Sequence, residues 1–142
     1  MSRIDHIGIA TESIDSALPF WNVLGFKSSG GGIVEEQGVE VRYMRNESDT
    51  RIELLEPTGP DTPVGRFIER RGEGIQQLAI SVPDIRETIE KLTEMGVIMI
   101  NPEPQIGHGG SKIAFVHPSS SGGVLIESVS YTHLTLPTKQ DV

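Results

Sequence analysis

The sequence predicts an α+β fold made of two copies of one strand, helix, strand, strand, strand module, and three observations carry that prediction. Residues 4–26 and 75–97 repeat one pattern without a gap: His6 falls on Gln77, Ile14 on Ile85 and Gly25 on Gly96, at a constant offset of 71 residues. A repeat of this kind marks one supersecondary unit used twice. Each copy opens with period-2 alternation, Ile7 and Ile9 against His6, Gly8 and Ala10, then Leu78, Ile80 and Val82 against Gln77, Ala79 and Ser81. That is a strand with one greasy face and one small or polar face. Each copy then enters a helical pattern that ends at a glycine.

After the first strand, Ser13 and Asp15 can cap a helix over Ile14–Val23, with Ile14, Ala17, Leu18 and Trp21 inward and Gly25 ending it. Pro19 removes a donor there and should kink or shorten the helix. Phe26–Ser29 reads as a short strand and Gly30-Gly31-Gly32 as a flexible turn. The triple glycine is not a phosphate loop, because neither Gly-Lys-Ser/Thr nor a helix follows it. Strands at Val39–Arg45 and Arg51–Glu56 flank the turn-rich Asn46-Glu47-Ser48-Asp49. Pro57 to Pro63 is a linker, and Pro63–Arg71 forms a short helix ended by Gly72. The second half repeats the order: a strand from Ile75, a helix over Pro83–Met95 with Ile85, Ile89 and Leu92 inward, and a strand at Val97–Ile100. A loop follows, then strands at Lys112–Val116 and Gly123–Glu127. Pro83 suits the first position of its helix.

A chain of 142 residues holds one domain, or two half-domains sharing a core. The formal charge of −8 argues against a general binder of nucleic acid or anionic membrane, which needs excess Lys and Arg. With no cysteine there is no disulfide framework, thiolate nucleophile or zinc-thiolate site, so a reducing cytoplasm is the expected compartment. Met1-Ser2-Arg3-Ile4 leads straight into a strand without a signal-peptide core, and no apolar run approaches bilayer-spanning length.

The last strand of each half carries a carboxylate on the face opposite its packed residues: Glu53 between Ile52 and Leu54, and Glu127 after Val124-Leu125-Ile126. His6, Glu53, Gln77 and Glu127 are thus two pairs of equivalent positions. If the halves pack about a pseudo-twofold axis, all four converge on one cleft. One imidazole, one amide oxygen and two carboxylates suit a divalent ion that keeps open positions for water or substrate.

These residues resemble a known family. Ile4-Asp5-His6-Ile7-Gly8-Ile9-Ala10, Ile52-Glu53-Leu54-Leu55-Glu56-Pro57, Arg71-Gly72-Glu73-Gly74-Ile75 and His117-Pro118 with Gly122-Gly123-Val124-Leu125-Ile126-Glu127 are similar to the methylmalonyl-CoA epimerases of the vicinal oxygen chelate (glyoxalase/bleomycin resistance) superfamily. The resemblance covers residues 4–128 and implies paired βαβββ modules forming one cupped sheet around a metal cleft. It implies a divalent ion (cobalt, manganese, nickel or similar), an acyl-CoA substrate and a homodimer. The reaction it implies inverts the carbon next to a CoA thioester. Such a carbon acid needs a proton taken from one face and another delivered to the other, while a chelated metal stabilises the enolate as a Lewis acid. Glu127 is the first choice for both metal ligation and proton transfer, with Glu53 beside it.

Two departures bear on that implication. The family reads His-His where this chain reads Gln76-Gln77, so Gln77 offers a neutral oxygen in place of an imidazole. Glu53 stands where the family has Gln or Glu, which gives the site two formal negative charges. One His, one Gln and two Glu are also the ligand types of glyoxalase I, so isomerisation of a glutathione hemithioacetal is an alternative. A small-ligand-binding protein of the same fold, without metal or turnover, is another. The glutamate that some relatives place on the third strand matches Val41 here, and Glu40 should face the wrong way.

Arg66, Arg70 and Arg71 on the linker helix read as a solvated face, although Arg71 and Lys112 can meet CoA phosphates. His108 and His117 receive no catalytic task. The domain plan is module one over 1–58, a linker over 59–71, module two over 72–128, and a tail over 129–142. That tail, with His133, resembles a translated sequencing adapter, and its deletion should leave fold and metal binding intact.

Overall fold

The computed structural model describes residues 2–131. Residues His6–Gln76 form one compact unit, and Gln77 onward, together with the start of the chain up to Asp5, forms the other. In chain order the elements are β1 (Arg3–Ala10), α1 (Ile14–Val23), β2 (Lys27–Val34), β3 (Val39–Arg45), β4 (Arg51–Pro57) and α2 (Pro63–Arg71). They continue as β5 (Gly74–Ser81), α3 (Ile85–Glu94), β6 (Gln105–Ile106), β7 (Lys112–Val116) and β8 (Leu125–Ser130). The offset of 71 seen in the sequence holds for the opening strands, the helix caps Ser13 and Asp84, the ten-residue helices, and the terminating Gly25 and Gly96, both at positive φ. One local program is folded twice.

In the unit His6–Gln76 the strand order is β2-β3-β4-β1, with β1 parallel to β4 and the other pairs antiparallel. The alternation of β1 divides the core as the sequence predicts. Ile7 and Ile9 pack with Ile14, Ala17, Leu18 and Trp21 of α1 against Met44, Ile52 and Leu54. Ala10 lies in the cluster of the opposite face with Val39, Val41, Leu55 and Val64 of α2. Ser13 Oγ accepts from the Ser16 amide at 3.2 Å and is the N-cap of α1; Asp15 lies in the first turn. Pro19 lies inside α1 without shortening it, and the carbonyl that loses its donor belongs to the exposed residue Asp15.

Two carboxylates hold the start of α1. The Ile14 amide donates to Glu56 Oε1 at 2.8 Å, and Glu73 Oε2 accepts from the Glu12 amide at 2.7 Å and from Thr11 Oγ1 at 3.1 Å. Negative charge at a helix N-terminus opposes the macrodipole and satisfies orphan amides. Glu56→Ala is expected to lower unfolding stability by about 1 kcal/mol, measured by urea denaturation, because the Ile14 amide loses its acceptor.

In the other unit the order is β5-β8-β7-β6, β5 being parallel to β8 and the remaining pairs antiparallel. Ile85 and Ile89 of α3 pack on Ala114 with Val82 and Met99, while Ala79, Ile113 and Val129 share a second cluster with Phe115 and Tyr131.

Four expectations are corrected. The triple glycine is not a turn but the middle of β2, where Gly30, Gly31 and Gly32 pair with Tyr43, Arg42 and Val41. A Cβ on Gly31 would sit 2.2 Å from the Val41 carbonyl oxygen, so the strands approach too closely there for any other residue. Helix α3 starts at Ile85, because Asp84 Oδ1 takes the Glu87 amide as an N-cap and Pro83 lies before it. Val97–Ile100 makes a single bridge, Met99 to Val116, and the edge partner of β7 is instead β6. Finally, β8 runs on past Glu127. Val129 and Ser130, assigned to the tail, pair with Ile113 and Lys112 and are 2% and 1% exposed. The Tyr131 hydroxyl donates to Asp5 Oδ2 at 2.9 Å. A tail boundary after 128 therefore falls inside a buried strand, and the rest of that segment, with His133, lies outside the described residues.

Candidate active site

Two polar pairs stand at the repeat-equivalent positions. In the first unit His6 of β1 and Glu53 of β4 share a face because Gly8, two residues after His6, is the register partner of Glu53. His6 Nε2 lies 3.3 Å from Glu53 Oε2, with side chains 7% and 19% exposed. In the second unit Gln77 of β5 and Glu127 of β8 stand in the same relation, Ala79 being the register partner of Glu127. Here Gln77 Nε2 donates to Glu127 Oε1 at 2.9 Å. His6 and Glu127 are buried and Gln77 is half-buried. Among the described residues no group of three His, Asp or Glu side chains is placed to hold a metal ion; each unit brings a pair.

Each pair has a small residue on one side and an aromatic one on the other. Glu53 is flanked in register by Gly8 on β1 and Tyr43 on β3; Glu127 is flanked by Ala79 on β5 and Phe115 on β7. Gly8 and Ala79 are the small residues that the sequence places on this face, and both are buried. The aromatic neighbours escaped the sequence reading. Tyr43 was inside a correctly bounded strand, but its partner is set by the β3–β4 register.

The outlying candidates are placed as follows. Val41 is buried beside Ala10 and Leu55, so the third strand brings no carboxylate to its position, and Glu40 is half-buried. Arg71 is exposed at the end of α2 with its guanidinium 5.9 Å from the Phe67 ring centroid. Lys112 is half-buried in β7 between Ile106 and Ser130. Arg66 pairs with Asp61 at 3.2 Å on the surface. His117 Nδ1 accepts from the Ser119 amide at 3.1 Å and caps a 3₁₀ turn, a structural task.

The sequence profile of the Glyoxalase/Bleomycin resistance protein/Dioxygenase superfamily matches residues 5–115, most of the chain. The chain belongs to that superfamily. It is 40% identical over 128 residues to Uncharacterized protein YqjC of Bacillus subtilis (strain 168), covering 89% of this chain and 91% of that one. To the mitochondrial methylmalonyl-CoA epimerase of Bos taurus it is 33% identical over 129 residues, covering 89% and 73%. A solved structure of methylmalonyl-CoA epimerase in complex with methylmalonyl-CoA and NH4+ matches with a TM-score of 0.84 at 35% identity, covering 92% of this chain and 94% of that one. The α+β class of paired modules and the family resemblance are both borne out. On these similarities the chain is an isomerase of the epimerase kind.

The donor types within each pair suit a divalent ion. Cis ligands at about 2.1 Å from an ion stand about 3 Å apart, close to the spacing of His6 Nε2 and Glu53 Oε2. Gln77 presents its amide nitrogen to Glu127, and the oxygen that a cation requires is reached by rotating the amide. A carboxylamide is a weaker ligand for cobalt or nickel than an imidazole.

Proposed function

We propose that the chain epimerises methylmalonyl-CoA, or a close 2-substituted acyl-CoA, with a divalent ion such as cobalt, manganese or nickel held by His6, Glu53, Gln77 and Glu127. The observation supporting this reading is the pairing of His6 with Glu53 and of Gln77 with Glu127 at equivalent positions of a twofold repeat. An ion bound there supplies Lewis-acid polarisation of the thioester carbonyl. The remaining chemistry belongs to the chain. Glu127, whose Oε1 accepts from the Gln77 amide, is the proposed group that takes the α-proton of the substrate. Glu53 serves the opposite face of the same carbon, where inversion requires a second proton-transfer group. Glu127 is buried, which limits the access of water to the proposed proton-transfer group.

Lys112 and Arg71 are proposed contacts for the CoA phosphates. The compartment is proposed to be the cytoplasm and the assembly a homodimer, as the absence of cysteine and the family resemblance respectively suggest. No helix among the described residues is long and apolar enough to cross a membrane.

Deuterium wash-in tests this reading. In D2O, with manganese or cobalt supplied, the α-proton of methylmalonyl-CoA should exchange in the presence of the chain. Absence of exchange together with turnover of a glutathione hemithioacetal would move the assignment to a glyoxalase-type isomerase. Substrate binding with neither reaction nor bound metal would make it a small-ligand-binding protein. Gln77→His is expected to tighten cobalt and nickel binding about tenfold or more relative to manganese, measured by calorimetric titration. Unchanged selectivity would remove Gln77 from the ligand set.

A further inference from the structure

The stretch Arg71-Gly72-Glu73-Gly74-Ile75 joins α2 to β5, and neither the proposed ligands nor the apolar clusters account for its glutamate. At the offset of 71 residues Glu73 falls on Ser2, which is exposed, so the carboxylate is no part of the plan that the repeats share. Its neighbours are two glycines at positive φ, 80° at Gly72 and 157° at Gly74. A Cβ on either would meet no atom within 4 Å, so these glycines answer to backbone conformation and not to lack of room. The Gly72 amide closes α2 by donating to the Ile68 carbonyl at 2.7 Å, and the ladder of β5 with β8 begins only at Gln77. Between them Gly72-Glu73-Gly74 is a joint.

Glu73 itself fastens that joint. Its Oε2 accepts from the Glu12 amide at 2.7 Å and from Thr11 Oγ1 at 3.1 Å, at the corner between β1 and α1. The corner is a fixed point. The Thr11 amide donates to the Leu55 carbonyl of β4 at 2.9 Å, the Ile14 amide donates to Glu56 Oε1 of β4 at 2.8 Å, and Thr11 is 6% exposed. Because β4 already holds the corner, it is the joint that these two bonds position. Strand β5 leaves the joint at Gly74 and carries Gln77. A one-residue slip at its entry would turn Gln77 to the other face.

We propose that Glu73 is a positioning residue: by fastening the Gly72-Glu73-Gly74 joint to the β1–α1 corner it sets where β5 begins, and with it the reach of Gln77 toward the ion. The inference rests on the proposed metal site and deepens it by naming what orients one of the four ligands.

The test is manganese titration of the full chain, read by the electron paramagnetic resonance of free Mn2+ at a temperature well below the unfolding midpoint of each variant. Glu73→Ala removes both bonds and should lower manganese affinity about tenfold, the scale on which substitutions outside a site change it. Glu73→Gln keeps a carbonyl oxygen for the same two neutral donors and should hold affinity within about twofold of the wild type. Glu56→Ala removes a bond of the same kind from the start of α1 without touching the joint, so it should lower the unfolding midpoint and leave affinity unchanged. Gly72→Ala keeps every donor and acceptor but strains the joint, and should weaken binding as Glu73→Ala does; it decides the question if Glu73→Ala does not fold. Wild-type affinity in Glu73→Ala or Gly72→Ala, an equal loss in Glu56→Ala, or a Glu73→Gln chain no better than the alanine variant overturns the inference and leaves the metal site standing. Wild-type chain that binds manganese without deuterium wash-in overturns the epimerase reading and leaves the Glu73 comparison readable. Wild-type chain that binds no divalent ion overturns the metal site and this inference with it.

Discussion

Glu127→Gln is expected to lower the rate of α-proton exchange from methylmalonyl-CoA by about a thousandfold, the middle of the range of roughly 10² to 10⁴ for loss of a general base. The substitution is nearly isosteric, and the carbonyl of the new amide still accepts from Gln77 Nε2, so the local hydrogen bond survives. Burial of the side chain makes this exchange of charge for neutrality large in its effect on chemistry and small in its effect on packing. Wash-in rates at saturating substrate, with thermal unfolding as a control for folding, measure it. A variant that unfolds like the wild type and retains most of its exchange rate would remove Glu127 from proton transfer.

The second large effect concerns stability. A chain ending at Ser128 is expected to be roughly 3–5 kcal/mol less stable than one ending at Tyr131. About 2 kcal/mol comes from the buried side chain of Val129. The rest comes from hydrogen bonds at about 1 kcal/mol each, among them the Val82 amide on the Val129 carbonyl at 2.8 Å and the Tyr131 hydroxyl on Asp5 at 2.9 Å. Such a loss is a large part of the roughly 5–15 kcal/mol that holds a domain of this size folded. Urea denaturation of the two truncated chains provides the comparison. A difference below 1 kcal/mol would show that β8 ends, in energetic terms, at Ser128.

The parts of this fold that were legible in the sequence are those written in local patterns. Alternation in β1 and β5, the caps Ser13 and Asp84, and the closing glycines are each set by residues within a few positions of one another, and their repetition at one offset made them unambiguous. The same offset located His6 and Gln77, and the alternation of the last strands located Glu53 and Glu127. What escaped depends on backbone or on pairing. Glycine has no side chain with which to display alternation, so Gly30-Gly31-Gly32 reads as a turn after a short strand although the backbone of β2 pairs on through Val34. The apolar run Val97–Ile100 has strand composition but makes one bridge, Met99 to Val116, while β6 pairs with the opposite end of β7 at Lys112 and Ile113. A composition foreign in appearance drew the tail boundary at 129, yet pairing with β7 carries β8 through Ser130. Glu56 and Glu73 accept from the amides of Ile14 and Glu12, 42 and 61 residues away in sequence, contacts that no local pattern displays.

The central claim is that a duplicated module supplies two polar pairs to a single ion. Calorimetric titration with manganese or cobalt, performed on the wild type and on His6→Ala and Glu127→Ala separately, tests it most directly. The account predicts one ion per chain in the wild type and loss of that ion in either variant, although the two residues come from different repeats. Two independent ions per chain, or full retention of the ion when Glu127 is replaced, would contradict it.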